Sequence, residues 1–178
     1  MHKCNVKQLT ISGLMAALVL VGTMLIQVPT PTKGYIHIGD SMVYLSGVLL
    51  GPVAGSLAAA MGSMLADVFS GYGIYAPATF VIKGLDAFIV AYIYNRLVKS
   101  DTSSVKKIVF FACSVLAGGG VMVVGYLAYE SVLYGFNTAI LGVLGNITQA
   151  VGGAILAAPL VIALEKINLF QKLKENFR

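Results

Sequence analysis

Membrane-length apolar stretches, separated by short clusters of basic residues, dominate this chain of 178 residues. Ten of the twelve Lys and Arg residues fall in three clusters, and only Lys33 and Lys83 lie elsewhere. The clusters are Lys3 and Lys7; Arg96, Lys99, Lys106 and Lys107; and Lys166, Lys172, Lys174 and Arg178. Cations that flank transmembrane helices collect on the cytoplasmic side. The clusters therefore predict a topology, and the topology predicts where a binding site must open.

The composition excludes a soluble domain. Hydrophobic residues make up 58% of the chain and charged residues only 11%, whereas a soluble domain carries about a quarter charged residues. Lipid must therefore cover most of the surface. The net charge of +5 comes from cations at the ends of apolar stretches, which favours contact with anionic cytoplasmic lipid over nucleic acid. Cys4 and Cys113 are far apart, and we expect neither a disulfide nor a metal site.

Four apolar stretches, at 9–28, 76–98, 108–129 and 139–164, each supply the ~20 residues of a membrane-spanning helix. A fifth, at 36–69, is too long for one helix, and Gly51-Pro52 interrupts it. Dividing it into 36–50 and 52–69 places all three basic clusters on the cytoplasmic side, which one crossing would not. We predict an all-α, polytopic membrane protein, a single domain (1–178) of six transmembrane helices with both termini cytoplasmic. The outer loops are then 29–35, 71–75 and 130–137.

Lys83 and Asp86 are three residues apart in the predicted fourth helix and share one face. Charged groups within a span are costly unless paired or hydrated, and they commonly serve function. The pair either fixes helix packing or lines a polar cavity. Asp67, near the outer end of the third helix, is interpreted as structural and could pair with Lys83.

Further polar residues are expected near the outer side. Asp40 could cap the second helix or line a site with the preceding His37, and no metal cluster accompanies this histidine. Asn146 and Gln149 share a face of the sixth helix at a depth similar to Lys83, so the two polar pairs together favour a cavity. The remaining candidates belong to the outer loops or their borders: Tyr35, Tyr72, Tyr75, Glu130, Tyr134 and Asn137.

The first helix carries two small-xxx-small pairs, Ser12/Ala16 and Gly13/Ala17. Small residues at this spacing let helices approach closely. They serve either packing inside the bundle or docking to a partner.

With this size and topology, three further sequence features resemble the substrate-binding S components of energy-coupling factor (ECF) vitamin transporters. They are His37-Ile38-Gly39-Asp40, Gly51-Pro52-Val53-Ala54-Gly55 and Asp67. The small-residue face of helix one resembles the family's AxxxA-type docking motif, with Ser12 or Gly13 in place of the first alanine. The likeness covers nearly the whole chain. The His-Ile-Gly-Asp segment is most similar to members assigned to hydroxymethylpyrimidine or pyridoxine.

The resemblance implies a substrate-binding subunit, not an enzyme, in the cytoplasmic membrane of a prokaryotic cell. It would capture a small polar heteroaromatic vitamin or precursor from outside and need no cofactor. It would dock through Ser12, Gly13, Ala16 and Ala17 on a membrane T component bound to two cytosolic ATPases, and would topple to release substrate inward. The expected substrate-binding residues are Lys83, Asp86, Asn146, Gln149, Tyr35, His37, Asp40, Tyr75, Glu130 and Asn137.

Two alternatives stay open at this point. An intramembrane enzyme would use Asp67, Lys83 and Asp86 as acid and base groups, although the sequence has no nucleophile–base motif and no metal spacing. A secondary transporter would couple substrate to protons through Asp86. The chain has no GxxxxGK[ST] phosphate-binding loop, so hydrolysis of ATP would belong to partner subunits.

Overall fold

A computed structural model describes residues 6–30, 32–99 and 101–166. These residues form six helices and one two-stranded hairpin, which confirms the predicted all-α class. In chain order the elements are α1 (Val6–Leu25), β1 (Gln27–Pro29), β2 (Tyr35–His37), α2 (Asp40–Leu50), α3 (Pro52–Phe69), α4 (Ala76–Leu97), α5 (Ser104–Tyr134) and α6 (Phe136–Lys166). Lys3, Cys4, Lys172, Lys174 and Arg178 lie outside the described residues.

Five of these helices are long and apolar enough to cross a membrane, and α2 is the exception. At 1.5 Å per residue, its 11 residues span only about 16 Å. Every residue of α2 except Met42 is buried, so neighbouring helices surround this short segment. Gly51 follows with a φ of +85°, a conformation that favours glycine, and Pro52 begins α3 immediately. The break at Gly51-Pro52 is therefore a tight turn between two helices, as predicted.

The loop predicted at 130–137 is almost absent. Helix α5 continues to Tyr134 and α6 begins at Phe136, so that only Gly135 separates them. Gly135 has a φ of +81°, which permits the sharp reversal without a longer connection. Consequently Glu130 and Asn137, expected in a loop, are helical residues.

The segment between α1 and α2 forms an antiparallel hairpin that the sequence prediction missed. Gln27 pairs with His37, Val28 with Ile36 and Pro29 with Tyr35. Strands this short carry too little alternation to be recognised from the sequence. The hairpin matters because it places the Tyr35–His37 strand over one end of the bundle.

The described residues of the central basic cluster, together with Lys166, lie at the end of the molecule opposite the hairpin. Glu165, near the end of α6, pairs with Lys107 at 2.8 Å and accepts a hydrogen bond from Tyr94 at 2.7 Å. These contacts bring together the end of α4, the beginning of α5 and the end of α6. At the other end, the hairpin contacts the end of α3 through a hydrogen bond from Gln27 to Ser70.

Large apolar side chains remain exposed along the long helices. Examples are Leu9, Leu57, Val81, Leu116 and Leu144, each more than half exposed. A soluble protein rarely leaves apolar surface of this extent in contact with water. The chain is a multi-pass membrane protein, and lipid covers these positions.

Candidate functional site

A partly open cavity lies at the hairpin end of the bundle. The hairpin contributes Thr30, Thr32, Gly34, Tyr35 and His37. The helices and the α3–α4 connection contribute Asp67, Tyr75, Thr79, Tyr126, Glu130, Gly142, Asn146 and Gln149. The lining is rich in hydroxyl, carboxyl, amide and aromatic groups, which suits a small polar aromatic ligand.

A row of polar contacts runs from the cavity wall into the core. The backbone N–H of His37 donates to Oε1 of Gln149 at 3.0 Å, and Nε2 of Gln149 donates to Oδ2 of Asp40 at 3.1 Å. The other Asp40 oxygen, Oδ1, accepts from Nζ of Lys83 at 2.5 Å. Gln149 is thus fixed at both ends, so it both lines the cavity and holds the hairpin strand to α2.

Lys83 and Asp40 are fully buried and do not line the cavity. The ammonium also contacts Sδ of Met122 at 2.7 Å and lies 5.7 Å from the ring centroid of Tyr126. Tyr126 is part of the cavity wall, so the ion pair lies directly behind that wall. The pair joins α2 to α4, and its contact with Met122 extends the connection to α5.

Asp86 lies deeper, against α5. Its Oδ1 approaches the Cα of Gly118 so closely that a methyl group there would lie 2.6 Å away. Neither Asp86 oxygen has a hydrogen-bond partner in the described part of the chain. Neither of the partners considered for Lys83 from the sequence, Asp86 and Asp67, forms the ion pair, because the ammonium of Lys83 is taken by Asp40.

Two carboxyl groups line the cavity itself. Oδ1 of Asp67 accepts a hydrogen bond from the Tyr35 hydroxyl at 2.6 Å. The Tyr75 hydroxyl donates to the carbonyl of Thr32 at 2.6 Å and lies 3.2 Å from Oε1 of Glu130. The second oxygens, Oδ2 of Asp67 and Oε2 of Glu130, are buried, and no atom of the described residues meets hydrogen-bond geometry with them.

The aromatic residues cluster around one side of the cavity. The Tyr35 ring lies 4.5 Å from the Tyr72 ring and 5.4 Å from the His37 ring, centroid to centroid. Burial, followed by the nearby Asp67 carboxylate, raises the pKa of Tyr35; burial and Glu130 do the same for the pKa of Tyr75. Both hydroxyls therefore keep their protons at neutral pH and act as donors.

His37 is held neutral in one tautomer. Burial lowers the pKa of its imidazole to about 4, and the attraction of Asp40 only partly opposes this effect. Nδ1 accepts the backbone N–H of Gly39 at 3.1 Å, so the ring proton resides on Nε2. A neutral His37 thus offers one N–H donor and adds no charge to the cavity.

Gly39 is required by close packing between the start of α2 and α1. A methyl group at Gly39 would lie 2.1 Å from Oγ1 and 2.8 Å from Cα of Thr23. No side chain larger than hydrogen fits there. The His37-Ile38-Gly39-Asp40 segment therefore combines a cavity-lining residue, a close helix contact and a core ion-pair partner.

Six of the ten residues expected to bind substrate line the cavity: Tyr35, His37, Tyr75, Glu130, Asn146 and Gln149. Asp40 and Lys83 lie behind its wall, Asp86 lies against Gly118, and Asn137 is exposed at the start of α6. Sequence reasoning assigned Asp67 a structural role and omitted Thr79 and Tyr126. Helical spacing could have found both, since Thr79 precedes Lys83 by four residues and Tyr126 precedes Glu130 by four.

The structure divides the four expected docking residues between two faces of α1. Gly13 and Ala17 are exposed, and a methyl group built on Gly13 would meet no described atom within 4 Å apart from its chain neighbours and its own helix backbone. Ser12 and Ala16 are half-buried. The Ala16 carbonyl packs against Gly62 of α3, where a methyl group would lie 2.4 Å from it.

Comparison with known proteins identifies the class of this chain. The family model for the S component of ECF-type riboflavin transporters matches residues 3–166. A solved structure of the S component of a bacterial ECF transporter superposes with a TM-score of 0.62, covering 95% of this chain and 98% of that one at 20% identity. That likeness shows the fold.

Two curated relatives extend the comparison. An uncharacterised protein of Pyrococcus woesei is 39% identical over 149 residues, which cover 83% of this chain and 95% of the relative. The thiamine precursor transporter HmpT of Lactococcus lactis subsp. cremoris is 25% identical over 177 residues, which cover 97% and 98%. The chain belongs to the family of ECF-type S components. It is accordingly the substrate-binding subunit of a vitamin transporter and not an enzyme itself, which confirms the prediction made from the sequence.

Proposed function

We propose that this subunit captures a small polar heteroaromatic vitamin or precursor, of the hydroxymethylpyrimidine or pyridoxine class, from outside the cell. The observation that carries the proposal is the cavity at the hairpin end, which combines aromatic rings with hydrogen-bonding groups. Its opening is at the end opposite the basic residues Arg96, Lys107 and Lys166, and the positive-inside tendency supports an opening to the outside. The relative HmpT, named as a thiamine precursor transporter, supports the same class.

Riboflavin is the second candidate, because the matching family model carries that vitamin in its description. The two candidates differ in size and in hydrogen-bonding edges. A hydroxymethylpyrimidine is a single ring with a hydroxymethyl group, whereas a flavin is a three-ring system whose polar edge carries two carbonyl groups.

The energy for import would come from partners. In this proposal the subunit docks on a membrane T component that is bound to two cytosolic ATPases, in the cytoplasmic membrane of a prokaryotic cell. Both curated relatives come from prokaryotes. Exposed Gly13 and Ala17 on α1 offer a surface where another helix could approach closely.

The test is to identify the ligand directly. The detergent-purified protein is heated to release small molecules, which are identified by mass spectrometry, and calorimetric titration then measures hydroxymethylpyrimidine, pyridoxine and riboflavin. Saturable binding of one of the first two supports the proposal. Tight binding of riboflavin alone selects the second candidate. Binding of none of the three, by protein that unfolds cooperatively, contradicts the proposed substrate class.

A further inference from the structure

A glycine inside helix α6 forms part of the cavity wall. Gly142 is buried and lines the cavity, and it lies well within α6, which runs from Phe136 to Lys166. Glycine inside a helix is unfavourable relative to alanine, because it loses more conformational freedom on folding. A close approach of another group to the helix backbone is one reason for glycine at such a position.

The group that approaches Gly142 is a carboxyl group of the same cavity wall. A methyl group on Gly142 would lie 2.7 Å from Oε2 of Glu130, and 3.3 and 3.4 Å from Cγ2 and Oγ1 of Thr32. Glu130 is only 4% exposed and Thr32 only 1%, so other atoms enclose both side chains. A side chain at position 142 would therefore displace the Glu130 carboxyl from its present place.

This carboxyl belongs to a cluster that joins four segments at the cavity. The Tyr75 hydroxyl donates to the carbonyl of Thr32 at 2.6 Å and lies 3.2 Å from Oε1 of Glu130, and the Thr32 hydroxyl also interacts with the Glu130 carboxyl. The hairpin, the α3–α4 connection, α5 and α6 thus meet here. Because Thr32, Tyr75, Glu130 and Gly142 all line the cavity, displacing the carboxyl changes the surface that a ligand meets.

A second glycine of α6 shows what close packing looks like away from the lining. A methyl group on Gly145 would lie 2.9 Å from Cδ1 of Ile36, and 3.9 Å from Cγ2 of Thr30, which is an ordinary contact. Cδ1 is the flexible end of an apolar side chain, and neither Gly145 nor Ile36 lines the cavity. The two glycines therefore allow helix packing to be separated from the shape of the site.

We infer that Gly142 is a positioning residue of the ligand site. Its missing side chain leaves the space in which the Glu130 carboxyl and Thr32 close against α6, and this arrangement fixes one wall of the cavity. The residue acts through Glu130 and needs no contact of its own with the ligand. This inference rests on the proposed function, since it takes the cavity to be the ligand site.

The first experiment compares two matched substitutions in the detergent-purified protein. Calorimetric titration with hydroxymethylpyrimidine, pyridoxine and riboflavin measures the affinity of Gly142→Ala and Gly145→Ala, and thermal unfolding without ligand measures their stability. Both variants add one methyl group to the same helix. We expect Gly142→Ala to weaken binding of the compound that the unmodified protein binds by about tenfold or more, because a polar group of the wall is displaced. Gly145→Ala should keep an affinity close to that of the unmodified protein.

The second experiment tests whether Gly142 acts through Glu130. Glu130→Asp shortens the side chain by one methylene group, which withdraws the carboxyl and makes room for a methyl group at position 142. Alone it should weaken binding. Combined with Gly142→Ala, it should cost less than the two single losses added together, since the crowding is relieved. Combined with Gly145→Ala, the losses should add.

Three results would overturn the inference: unchanged affinity in folded Gly142→Ala, equal losses in the two glycine variants, or additive losses for Gly142→Ala and Glu130→Asp. Each would make Gly142 a packing residue and leave the proposed vitamin class intact. Binding of none of the three compounds by the folded, unmodified protein counts against that class instead. The same cycle of variants, measured by melting temperature, then tests the contact between positions 142 and 130, and additive changes there would also overturn the inference.

Discussion

The ammonium of Lys83 pairs with the carboxylate of Asp40, 43 positions earlier in the chain, at 2.5 Å, and not with Asp86 on its own helix. Both side chains are completely buried. The contact joins α4 to the first residue of α2, directly behind the cavity wall. Gln149 of α6 donates to the other oxygen of Asp40 and accepts from the backbone N–H of His37, so it extends the connection to α6 and to the hairpin.

Breaking this ion pair should destabilise the bundle strongly. Lys83→Met leaves Asp40 as an uncompensated buried charge, and breaking a buried pair costs about 3–5 kcal/mol. The double variant Asp40→Asn with Lys83→Met removes both charges and should recover much of that loss. Thermal unfolding in detergent measures both effects. The matched control is Lys83→Met with Asp86→Asn, which should not recover stability; recovery there would show that Asp86 is the partner.

The pKa of His37 predicts a pH dependence of stability. The imidazole pKa is lowered to about 4 in the folded protein, chiefly by burial, against about 6.5 in an unfolded chain. The unfolded state therefore binds more protons between these values, so the stability contributed by neutral His37 is complete above about pH 6.5 and is lost as pH falls towards 4. As pH is lowered across this range, the melting temperature should fall less steeply in His37→Asn than in the unmodified protein. The amide oxygen of the asparagine can still accept the backbone N–H of Gly39. Identical slopes would contradict the prediction.

Charge placement and apolar length were sufficient to predict the helices. The interrupted stretch at 36–69 required two helices once the three basic clusters were placed on one side, and the Gly51-Pro52 turn lies at the predicted position. The hairpin could not be predicted, since three-residue strands have no periodicity to detect. Gly135 was not recognised as a one-residue turn, because its positive φ depends on how α5 and α6 pack and not on the local sequence.

The sequence predicted which residues lie near the site better than it predicted which of them contact one another. The sequence marks Lys83 as a buried cation but does not show which carboxylate it meets, because Asp40, Asp67 and Asp86 are all compatible with a six-helix bundle. Local spacing favoured Asp86, which is three residues away. Tertiary packing decides otherwise: α5 brings Gly118 against Asp86, while α2 brings Asp40 to Lys83. Asp67 then remains free to line the cavity with Tyr35.

Asn146 and Gln149 share a face of α6 but should respond differently to substitution. Asn146 lines the cavity and forms no hydrogen bond to a described residue, so Asn146→Ala should leave the melting temperature nearly unchanged. It should weaken ligand binding by about 1–3 kcal/mol, roughly ten- to hundredfold, because a ligand group loses its partner. Calorimetric titration measures the affinity.

Gln149→Ala provides the contrast. It removes the hydrogen bonds from His37 N–H and to Asp40 Oδ2, so it should lower the melting temperature as well as the affinity. If both variants changed stability equally and binding not at all, Asn146 would be a packing residue and the ligand would lie elsewhere.

The predicted orientation can be tested with single-cysteine labels in a background that lacks Cys4 and Cys113. Asp101 is exposed between α4 and α5, and Gly73 is exposed between α3 and α4. Asp101→Cys should react with a membrane-impermeant maleimide only after the cytoplasmic side is opened, because its loop carries the central basic cluster. Gly73→Cys should react in intact cells. The reverse pattern would place the cavity opening on the cytoplasmic side and contradict capture from outside.

Docking on a T component should depend on one face of α1 only. Ala17 is exposed, so Ala17→Leu adds volume to the outward face and should prevent co-purification with the T component, while ligand affinity and melting temperature stay unchanged. Ala16 is half-buried and its carbonyl packs against Gly62. Ala16→Leu should therefore crowd the α1–α3 contact and lower the melting temperature. Added volume in a packed site typically lowers the free energy of unfolding by about 1–3 kcal/mol. Leu14→Ala, which reduces volume at another exposed position, is the control and should leave both properties intact. Normal co-purification of a folded Ala17→Leu protein would show that the partner binds a different surface.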